Sequence, residues 1–225
     1  MRETPMNFTG ERMIPGNSPP SLEAYHRARY QAVIRRDGWE EGLRVLDCPC
    51  GTGYGSQMMC DAGAKLVVGV DVDNETVSFA RAQYADPVFV SADMKHIVGK
   101  IIIEDRIFGT SPKAYFDLMV CIEGIEHVSE ADGEIVIRQF AVVTKPGGRL
   151  FVTTPNRARR KSNNKFHLKE YTISELLALI ETGGFWKVID FCGQFRGGVA
   201  DVVPFYPGQT PDYIVMEAKR TEKRI

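Results

Sequence analysis

Two carboxylates and one imidazole lie close together in the segment CIEGIEHV, as Glu123, Glu126 and His127. They follow the apolar run FDLMVCI, which predicts a buried parallel strand. In α/β folds, ligands bind at the carboxyl ends of such strands. A carboxylate can orient a reacting group, and a histidine can accept a proton near neutral pH. These three residues are therefore candidate catalytic groups.

A second candidate site surrounds a glycine-rich loop. The run RVLD predicts a strand that ends at Asp47, and Gly51, Gly53 and Gly55 follow at once. The run KLVVGVD predicts a second strand, which ends at Asp71. A separation of about 20 residues suits an acidic side chain that binds the two hydroxyls of a ribose. The order strand, loop, helix, strand and acid therefore predicts a site for an adenosine-type cofactor.

The glycine spacing narrows the choice of cofactor. Nicotinamide sites use G-x-G-x-x-G with a pyrophosphate at a helix N-terminus, whereas the third glycine is displaced in this loop. Asp47 would place a negative charge beside that pyrophosphate. A carboxylate at this position suits a ligand that carries an ammonium group and a sulfonium.

Apolar runs alternate with helical patterns along the chain. After LRVLDC come KLVVGVD, PVFVSAD, FDLMVCIE and RLFVTTP, and then WKVIDFC and DYIVMEA near the end. Alternating strands and helices predict a sheet that is covered on both sides. We therefore predict an α/β fold with a doubly wound, mostly parallel, seven-stranded Rossmann-like sheet and helices on both faces.

The chain organisation follows from the same patterns. Residues 1–42 are predicted to form an irregular arm and a helix from about Leu22 to Arg36, capped by Ser21, which cover the cofactor site. Residues 43–225 are predicted to form the cofactor-binding domain, and the two parts one globular unit. Residues 95–115 are longer than a usual connection and are expected to be a lid or an extra hairpin.

The segment VLDCPCGTGYGS resembles the first motif of class I S-adenosylmethionine-dependent methyltransferases. The resemblance implies that the loop faces the methionine part, Asp71 the ribose, Asp93 the adenine amino group and Met94 the adenine ring. Pro49 stands where the family's motif has its first glycine, and it removes a backbone donor. The cofactor-binding residues assigned in this way are Tyr30, Asp47, Cys50, Gly51, Gly53, Gly55, Asp71, Val72, Asp93, Met94 and Ile122.

The E-x-x-E-H pattern resembles that of quinone-biosynthetic and glycan-modifying O-methyltransferases and of RNA terminal 2′-O-methyltransferases. In the RNA enzymes, two Glu, the His and a later His hold a divalent metal. The resemblance implies that Glu123, Glu126, His127 and His167 could hold Mg²⁺ or Mn²⁺ here. Without a metal, His127 is the expected general base.

The segments TTPNR, NKFHLKEYT, FTGERMIP and EAYHRARY resemble methyltransferases of glycan and surface-polysaccharide synthesis. That resemblance implies a sugar hydroxyl as the acceptor and places His26, Arg29 or Tyr30 near the cofactor. A nearby basic segment could clamp a phosphorylated acceptor or could be a solvated loop. Its cations are Arg157, Arg159, Arg160, Lys161, Lys165 and Lys169.

Composition limits the remaining alternatives. A net charge of −1 and the lack of an aromatic stacking set make RNA a less favoured acceptor. The five cysteines have irregular spacing, which favours reduced thiols, and the polar N-terminus is no signal peptide. A cytoplasmic enzyme without a membrane span is expected. A quinone or small-phenol acceptor and a non-catalytic cofactor-binding protein remain as alternatives.

Overall fold

The structure is a computed structural model that describes residues 12–103, 115–159 and 164–224. The helices are α1 Pro20–Arg35, α2 Tyr54–Asp61, α3 Asn74–Gln83, α4 Ile97–Ile103, α5 Glu130–Val143 and α6 Ile173–Glu181. The strands are β1 Arg44–Asp47, β2 Leu66–Asp71, β3 Val88–Ser91, β4 Phe116–Ile122, β5 Thr144–Pro155, β6 Trp186–Gln194, β7 Val202–Val203 and β8 Tyr213–Arg220. In this part of the chain, no helix is long and apolar enough to cross a bilayer.

All of the strands join one sheet, in the order β3-β2-β1-β4-β5-β8-β6-β7. Strands β1 to β5 pair in parallel, and β8 pairs antiparallel with both β5 and β6. The predicted doubly wound, mostly parallel α/β fold is confirmed. The described residues form eight strands and not seven, because the two-residue β7 adds to the edge of β6. A strand that short has no alternation that a sequence pattern could reveal.

The parallel strands are apolar throughout because helices cover both faces of the sheet. Val45 and Val67 belong to an apolar cluster on the side of α1 and α2. Their neighbours Leu46 and Val68 belong to the cluster on the side of α5 and α6. Successive side chains of a strand point to opposite faces, so a strand covered twice needs an uninterrupted apolar run.

Local capping fixes where several helices begin. Helix α6 begins with a capping box: Thr172 Oγ1 accepts from the Glu175 N–H, and the Glu175 side chain accepts from the Thr172 N–H. The predicted cap at Ser21 is wrong, since α1 begins one residue earlier, at Pro20. Proline suits the first helical position because its missing N–H needs no partner there.

Two connections depart from simple loops. Residues 145–148 lie within β5, where pairing passes from Thr144 opposite Phe116 to Arg149 opposite Leu118. Of the predicted lid or hairpin at 95–115, the part up to Ile103 is helical, since a short 3₁₀ turn leads into α4. Residues 104–114 lie outside the described part of the chain.

Helix α1 is fixed to the sheet through Tyr30, which is buried against α2. A Cβ added to Gly55 would lie 2.0 Å from the Tyr30 ring. The Tyr30 hydroxyl donates to the Asp47 carboxylate, 3.2 Å away at the end of β1. Gly55 is therefore required by the close approach of an aromatic ring.

This contact predicts that Gly55→Ala destabilises the protein by about 1–3 kcal/mol in urea unfolding, because a buried ring cannot move away from the new methyl group. Gly99→Ala in α4 is the control, since its added Cβ meets nothing within 4 Å and alanine favours helix. In a double-mutant cycle with Tyr30→Ala, the changes in the free energy of unfolding should not be additive, because the shortened side chain no longer meets the new methyl group. Equal effects of the two glycine substitutions would contradict this account.

Candidate active site

A cavity of about 610 Å³ opens at the carboxyl ends of β1, β2 and β4. Of the residues predicted to bind the cofactor, Tyr30, Cys50, Gly51, Asp71, Val72, Met94 and Ile122 line it. Glu123 and His127 line the same cavity. The two candidate sites found in the sequence are therefore parts of one site, of a volume that is usual for ligand pockets.

The glycine loop is tied to the end of the neighbouring strand. The Gly51 N–H donates to Asp71 Oδ2 at 3.0 Å, and the Cys50 N–H donates to the Val70 carbonyl at 2.8 Å. Gly51 and Gly53 have φ values of 52° and 85°, which favour glycine. Gly53 faces Phe89 and does not line the cavity. Like Gly55, it serves packing, and Gly51 alone of the three glycines faces the ligand space.

Asp47 lies behind the cavity and is fully buried. Its carboxylate accepts hydrogen bonds from Ser56 Oγ at 2.6 Å and from the Tyr30 hydroxyl at 3.2 Å. Burial raises the pKa of Asp47 to about 7, against these two hydrogen bonds, and the neighbouring Asp71 adds to the rise. The structure thus places Asp47 as a support for α1 and α2.

The two acids after β2 and β3 differ in position. Asp71 lines the cavity and accepts the Asp73 N–H at 3.0 Å, and burial raises its pKa. Asp93 accepts the Lys95 N–H at 2.9 Å and is not among the residues that line the cavity. Met94, directly after it, does line the cavity.

Pro49 connects the two loops of the site. It lines the cavity, and a Cβ added to Gly124 would lie 2.2 Å from its Cδ. The loop after β1 and the loop after β4 are therefore in direct contact. The departure from the usual glycine at position 49 is matched by a glycine opposite it.

Glu123 lies at the floor of the cavity with an unusual backbone. Its φ of 51° is uncommon for a residue with a side chain and is often found at functional sites. Glu123 Oε1 accepts from Thr153 Oγ1 at 3.3 Å, and Oε2 lies 3.8 Å from Nη1 of Arg29. Two neighbouring elements, β5 and α1, thus hold this carboxylate.

Arg29 is buried although it always carries a charge. Its Nε donates to Gln194 Oε1 at 2.9 Å, and its guanidinium stacks 3.9 Å from the centre of the Tyr213 ring. Its Nη1 has no hydrogen-bond partner among the described residues. Nη1 still faces the Glu123 carboxylate at 3.8 Å, and Arg29 is not among the residues that line the cavity, so its charge is balanced by Glu123.

Glu126, His127 and His167 form a compact group, with potential ligand atoms within 4.8 Å of one another. Glu123, the fourth predicted metal ligand, is not part of this group. Glu126 Oε2 accepts from Thr154 Oγ1 at 2.9 Å, while the buried Oε1 has no partner among the described residues. Burial, together with the charge of Glu123, raises the pKa of Glu126 well above its usual value.

Hydrogen bonds define the tautomers of the two histidines. His127 Nδ1 lies 3.1 Å from the Phe166 carbonyl, and His167 Nδ1 lies 2.8 Å from Glu170 Oε1. Because a carbonyl oxygen only accepts, His127 Nδ1 must carry a proton, and Nε2 of the neutral ring has the lone pair. The two rings meet edge to face with centroids 5.2 Å apart.

The basic segment is largely neutralised where the structure describes it. Arg157 pairs with Glu175 at 2.6 Å, Arg159 with Asp212 at 3.6 Å, and Lys169 with Glu130 at 3.0 Å. Lys165 lines the cavity. Arg160 and Lys161 lie outside the described residues. This pattern favours a loop held by ion pairs, with Lys165 as the described cation that faces the ligand space.

The cavity is also lined by residues that the sequence patterns do not assign to cofactor binding or to catalysis. They are Arg12, Met13, His26, Pro49, Thr52, Tyr54, Lys165, Phe166 and Leu168. Thr52 Oγ1 donates to the Met13 carbonyl at 2.8 Å, and Arg12 pairs with Asp73 at 3.0 Å, so residues 12–13 border the glycine loop. Only tertiary structure brings these segments together.

His26, which the resemblance places near the cofactor, lines the cavity. It lies in EAYHRARY, and its Nδ1 is 3.4 Å from the Tyr54 hydroxyl. Burial lowers the pKa of His26 to about 3, and Arg29 and Arg196 contribute to the drop. The imidazole is therefore neutral in the folded protein at physiological pH.

The raised pKa of Asp47 predicts a pH dependence of stability. The folded value of about 7 exceeds the ordinary 3.8, so folding takes up a proton between these values. The free energy of unfolding must then fall as the pH rises through this window. Asparagine does not titrate, so Asp47→Asn lacks this part of the pH dependence of stability. Its amide oxygen can still accept hydrogen bonds from Tyr30 and Ser56.

The free energy of unfolding is measured with urea, without cofactor, for Asp47→Asn and for the unmodified protein. Between about pH 5 and pH 8 the difference between them should shift in favour of Asp47→Asn by about 2–3 kcal/mol. Asp37→Asn, at an exposed position, is the control and should show no such gain. A difference between Asp47→Asn and the unmodified protein that stays constant with pH would contradict the raised pKa.

Comparison with known proteins identifies the family. Residues 45–148 match a family model described as a methyltransferase domain. A protein of Mycolicibacterium smegmatis, named as a probable S-adenosylmethionine-dependent methyltransferase, is 35% identical over 202 residues, which are 87% of this chain and 71% of that protein. A ubiquinone biosynthesis O-methyltransferase of Bordetella avium is 31% identical over 136 residues, which are 60% of this chain and 52% of that protein.

Solved structures share the fold. The 1,6-didemethyltoxoflavin-N1-methyltransferase of Burkholderia thailandensis, with bound S-adenosylhomocysteine, has a TM-score of 0.61 at 17% identity, covering 88% of this chain and 79% of that one. An S-adenosylmethionine-dependent methyltransferase from Mesorhizobium loti has a TM-score of 0.60 at 17% identity, covering 88% and 98%. The chain belongs to the S-adenosylmethionine-dependent methyltransferases.

Proposed function

We propose that this methyltransferase transfers a methyl group to a hydroxyl of a sugar, in a glycan or a nucleotide sugar. The observation that carries the proposal is the single cavity that Gly51 and Asp71 line together with Glu123 and His127. A donor held by the first pair and an acceptor held by the second would meet there. Holding two reactants in line is the main contribution that a protein makes to such a displacement.

The donor end fits S-adenosylmethionine. Asp71 offers a carboxylate to the ribose hydroxyls, and the exposed Val72 lies beside it. Met94 and Ile122 give the adenine apolar surfaces, and Asp93 stays the proposed partner of its amino group. When bound, S-adenosylmethionine supplies a methyl group already activated by its sulfonium.

The chain's own groups then act on the acceptor. His127 Nε2 takes the proton of the acceptor hydroxyl, since the Phe166 carbonyl holds the Nδ1 proton in place. Glu123, fixed by Thr153 and Arg29, accepts hydrogen bonds from the acceptor and orients it. Glu126 is buried, and its backbone carbonyl accepts the N–H groups of Leu168 and Lys169.

Several observations favour a sugar over the alternatives. The cavity has polar groups around the reacting position, which suits an acceptor with several hydroxyls. The described cations of the basic segment, apart from Lys165, are paired with carboxylates, which weakens the case for RNA. The relatives named for ubiquinone biosynthesis support transfer to oxygen, and they keep a phenol as the alternative acceptor. A non-catalytic role is disfavoured because two of the three catalytic candidates, Glu123 and His127, line the cavity.

Replacing His127 tests the catalytic role. His127→Ala should lower kcat by about 10²–10⁴-fold and leave binding of S-adenosylhomocysteine nearly unchanged, because the ring contributes a proton acceptor and no donor-site contact. Turnover is measured as S-adenosylhomocysteine released with nucleotide sugars, methyl glycosides, catechol and short RNAs. His96→Ala, at an exposed position outside the cavity, is the control. Unchanged turnover in His127→Ala would refute the role.

A metal-assisted variant of the reaction is the second candidate. The group of Glu126, His127 and His167 could hold Mg²⁺ or Mn²⁺, because Glu126 Oε1 is unpartnered and each Nδ1 is already bound by an oxygen acceptor. Such an ion would lower the pKa of the acceptor hydroxyl. His127 would then be a ligand, and another group would take the proton.

This variant predicts about one equivalent of divalent metal per chain, measured by elemental analysis after dialysis against Mn²⁺. His167→Ala and Glu126→Gln should each weaken Mn²⁺ binding, whereas Glu123→Gln should retain it because Glu123 lies outside the group. Chelation should abolish turnover, and Mn²⁺ should restore it. Full activity of metal-free protein would rule the variant out.

A further inference from the structure

Two large apolar side chains are left exposed at the acceptor end of the cavity. Phe166 is 48% exposed and Leu168 is 65% exposed, and both line the cavity. Their backbone is held, since the Phe166 N–H donates to Asn164 Oδ1 at 2.9 Å and the Leu168 N–H to the Glu126 carbonyl at 2.8 Å. A fixed backbone that presents apolar side chains to a cavity is a feature of binding surfaces.

Phe166 also contacts the proposed base, His127. The backbone carbonyl of Phe166 accepts the proton of His127 Nδ1, so the same residue orients the histidine and carries the exposed ring. Lys165 Nζ lies 4.9 Å from the centre of the ring, in the range of a cation–π contact. Because Phe166 and His127 line the same cavity, a molecule that packs on the Phe166 ring shares that cavity with His127.

The groups around this ring indicate which chemical class packs on it. Glu123, which also lines the cavity, has oxygens that only accept when ionised. A phenol could stack on Phe166, but a simple phenol brings one hydroxyl, whereas the Glu123 oxygens can accept hydrogen bonds beyond those with Thr153 and Arg29. A pyranose has an apolar C–H face for the ring and several hydroxyls for the carboxylate.

We propose that Phe166, extended by Leu168, is the platform on which a pyranose ring of the acceptor packs. The ring lies with its C–H face on Phe166, and the hydroxyl to be methylated points to His127. The neighbouring hydroxyls donate to Glu123. This assignment rests on the proposed sugar O-methyltransferase function and names the residue that selects the acceptor.

The kinetic test compares Phe166→Ala, Phe166→Tyr and the unmodified protein with methyl hexopyranosides and UDP-hexoses. Phe166→Ala should raise KM for the accepted sugar by about tenfold and change kcat little, because the backbone carbonyl that orients His127 remains. Phe166→Tyr should restore KM, since the ring is kept. Ile135→Ala is the matched control, because Ile135 is 46% exposed on α5 and lies outside the cavity lining.

A binding readout makes the test independent of turnover. Saturation-transfer NMR with the same hexopyranosides, in the presence of S-adenosylhomocysteine, should show transfer to the sugar C–H protons. This transfer should be lost in Phe166→Ala and kept in Ile135→Ala. Absence of transfer in the unmodified protein would count against the platform.

The outcomes distinguish a failure of the Phe166 platform from a failure of the proposed sugar O-methyltransferase function. If the protein methylates a sugar but Phe166→Ala keeps its KM, the platform is overturned and the sugar O-methyltransferase stands. If the protein methylates catechol and no hexopyranoside or UDP-hexose, the sugar acceptor fails and the pyranose platform fails with it. A tenfold rise in KM that Phe166→Tyr reverses supports both.

Discussion

The hydrogen bonds of one buried carboxylate hold the glycine-loop side of the cavity together. Asp47, at the end of β1, accepts from Tyr30 of α1 and from Ser56 of α2. These bonds fix the N-terminal helix and the first helix of the sheet domain against the same strand end. The glycine loop between Asp47 and Ser56 then has both of its ends anchored, so Gly51 can face the ligand space with its N–H on Asp71.

The His127 side of the cavity is built in a similar way around Glu126. Its backbone carbonyl accepts from Leu168 and Lys169, and its side chain accepts from Thr154. The segment that carries Phe166 and His167 is thereby held against the loop that carries His127. Since Pro49 packs against Gly124, this loop and the glycine loop are also in direct contact. A change in one loop is therefore expected to reach the other.

Charge placement separates the structural groups from those available to ligands. The cations Arg157, Arg159 and Lys169 of the basic segment are paired with carboxylates of the fold. Arg29 faces the Glu123 carboxylate at 3.8 Å, whereas Glu126 Oε1 has no partner among the described residues. Leaving buried polar atoms unpaired costs stability, so such atoms are expected where a ligand completes the hydrogen bonding.

The sequence by itself determined the fold class and the place of the glycine loop and Asp71 at one end of the sheet, because both depend on local signals. Apolar runs predict buried strands, and an acid after a strand must lie at the sheet's carboxyl edge, as Asp71 does. Tertiary structure decided which glycines face the ligand, since Gly53 and Gly55 face Phe89 and Tyr30. It also decided that Glu123 is separate from the group of Glu126, His127 and His167. Those relations depend on contacts between distant segments, and no spacing along the chain encodes them.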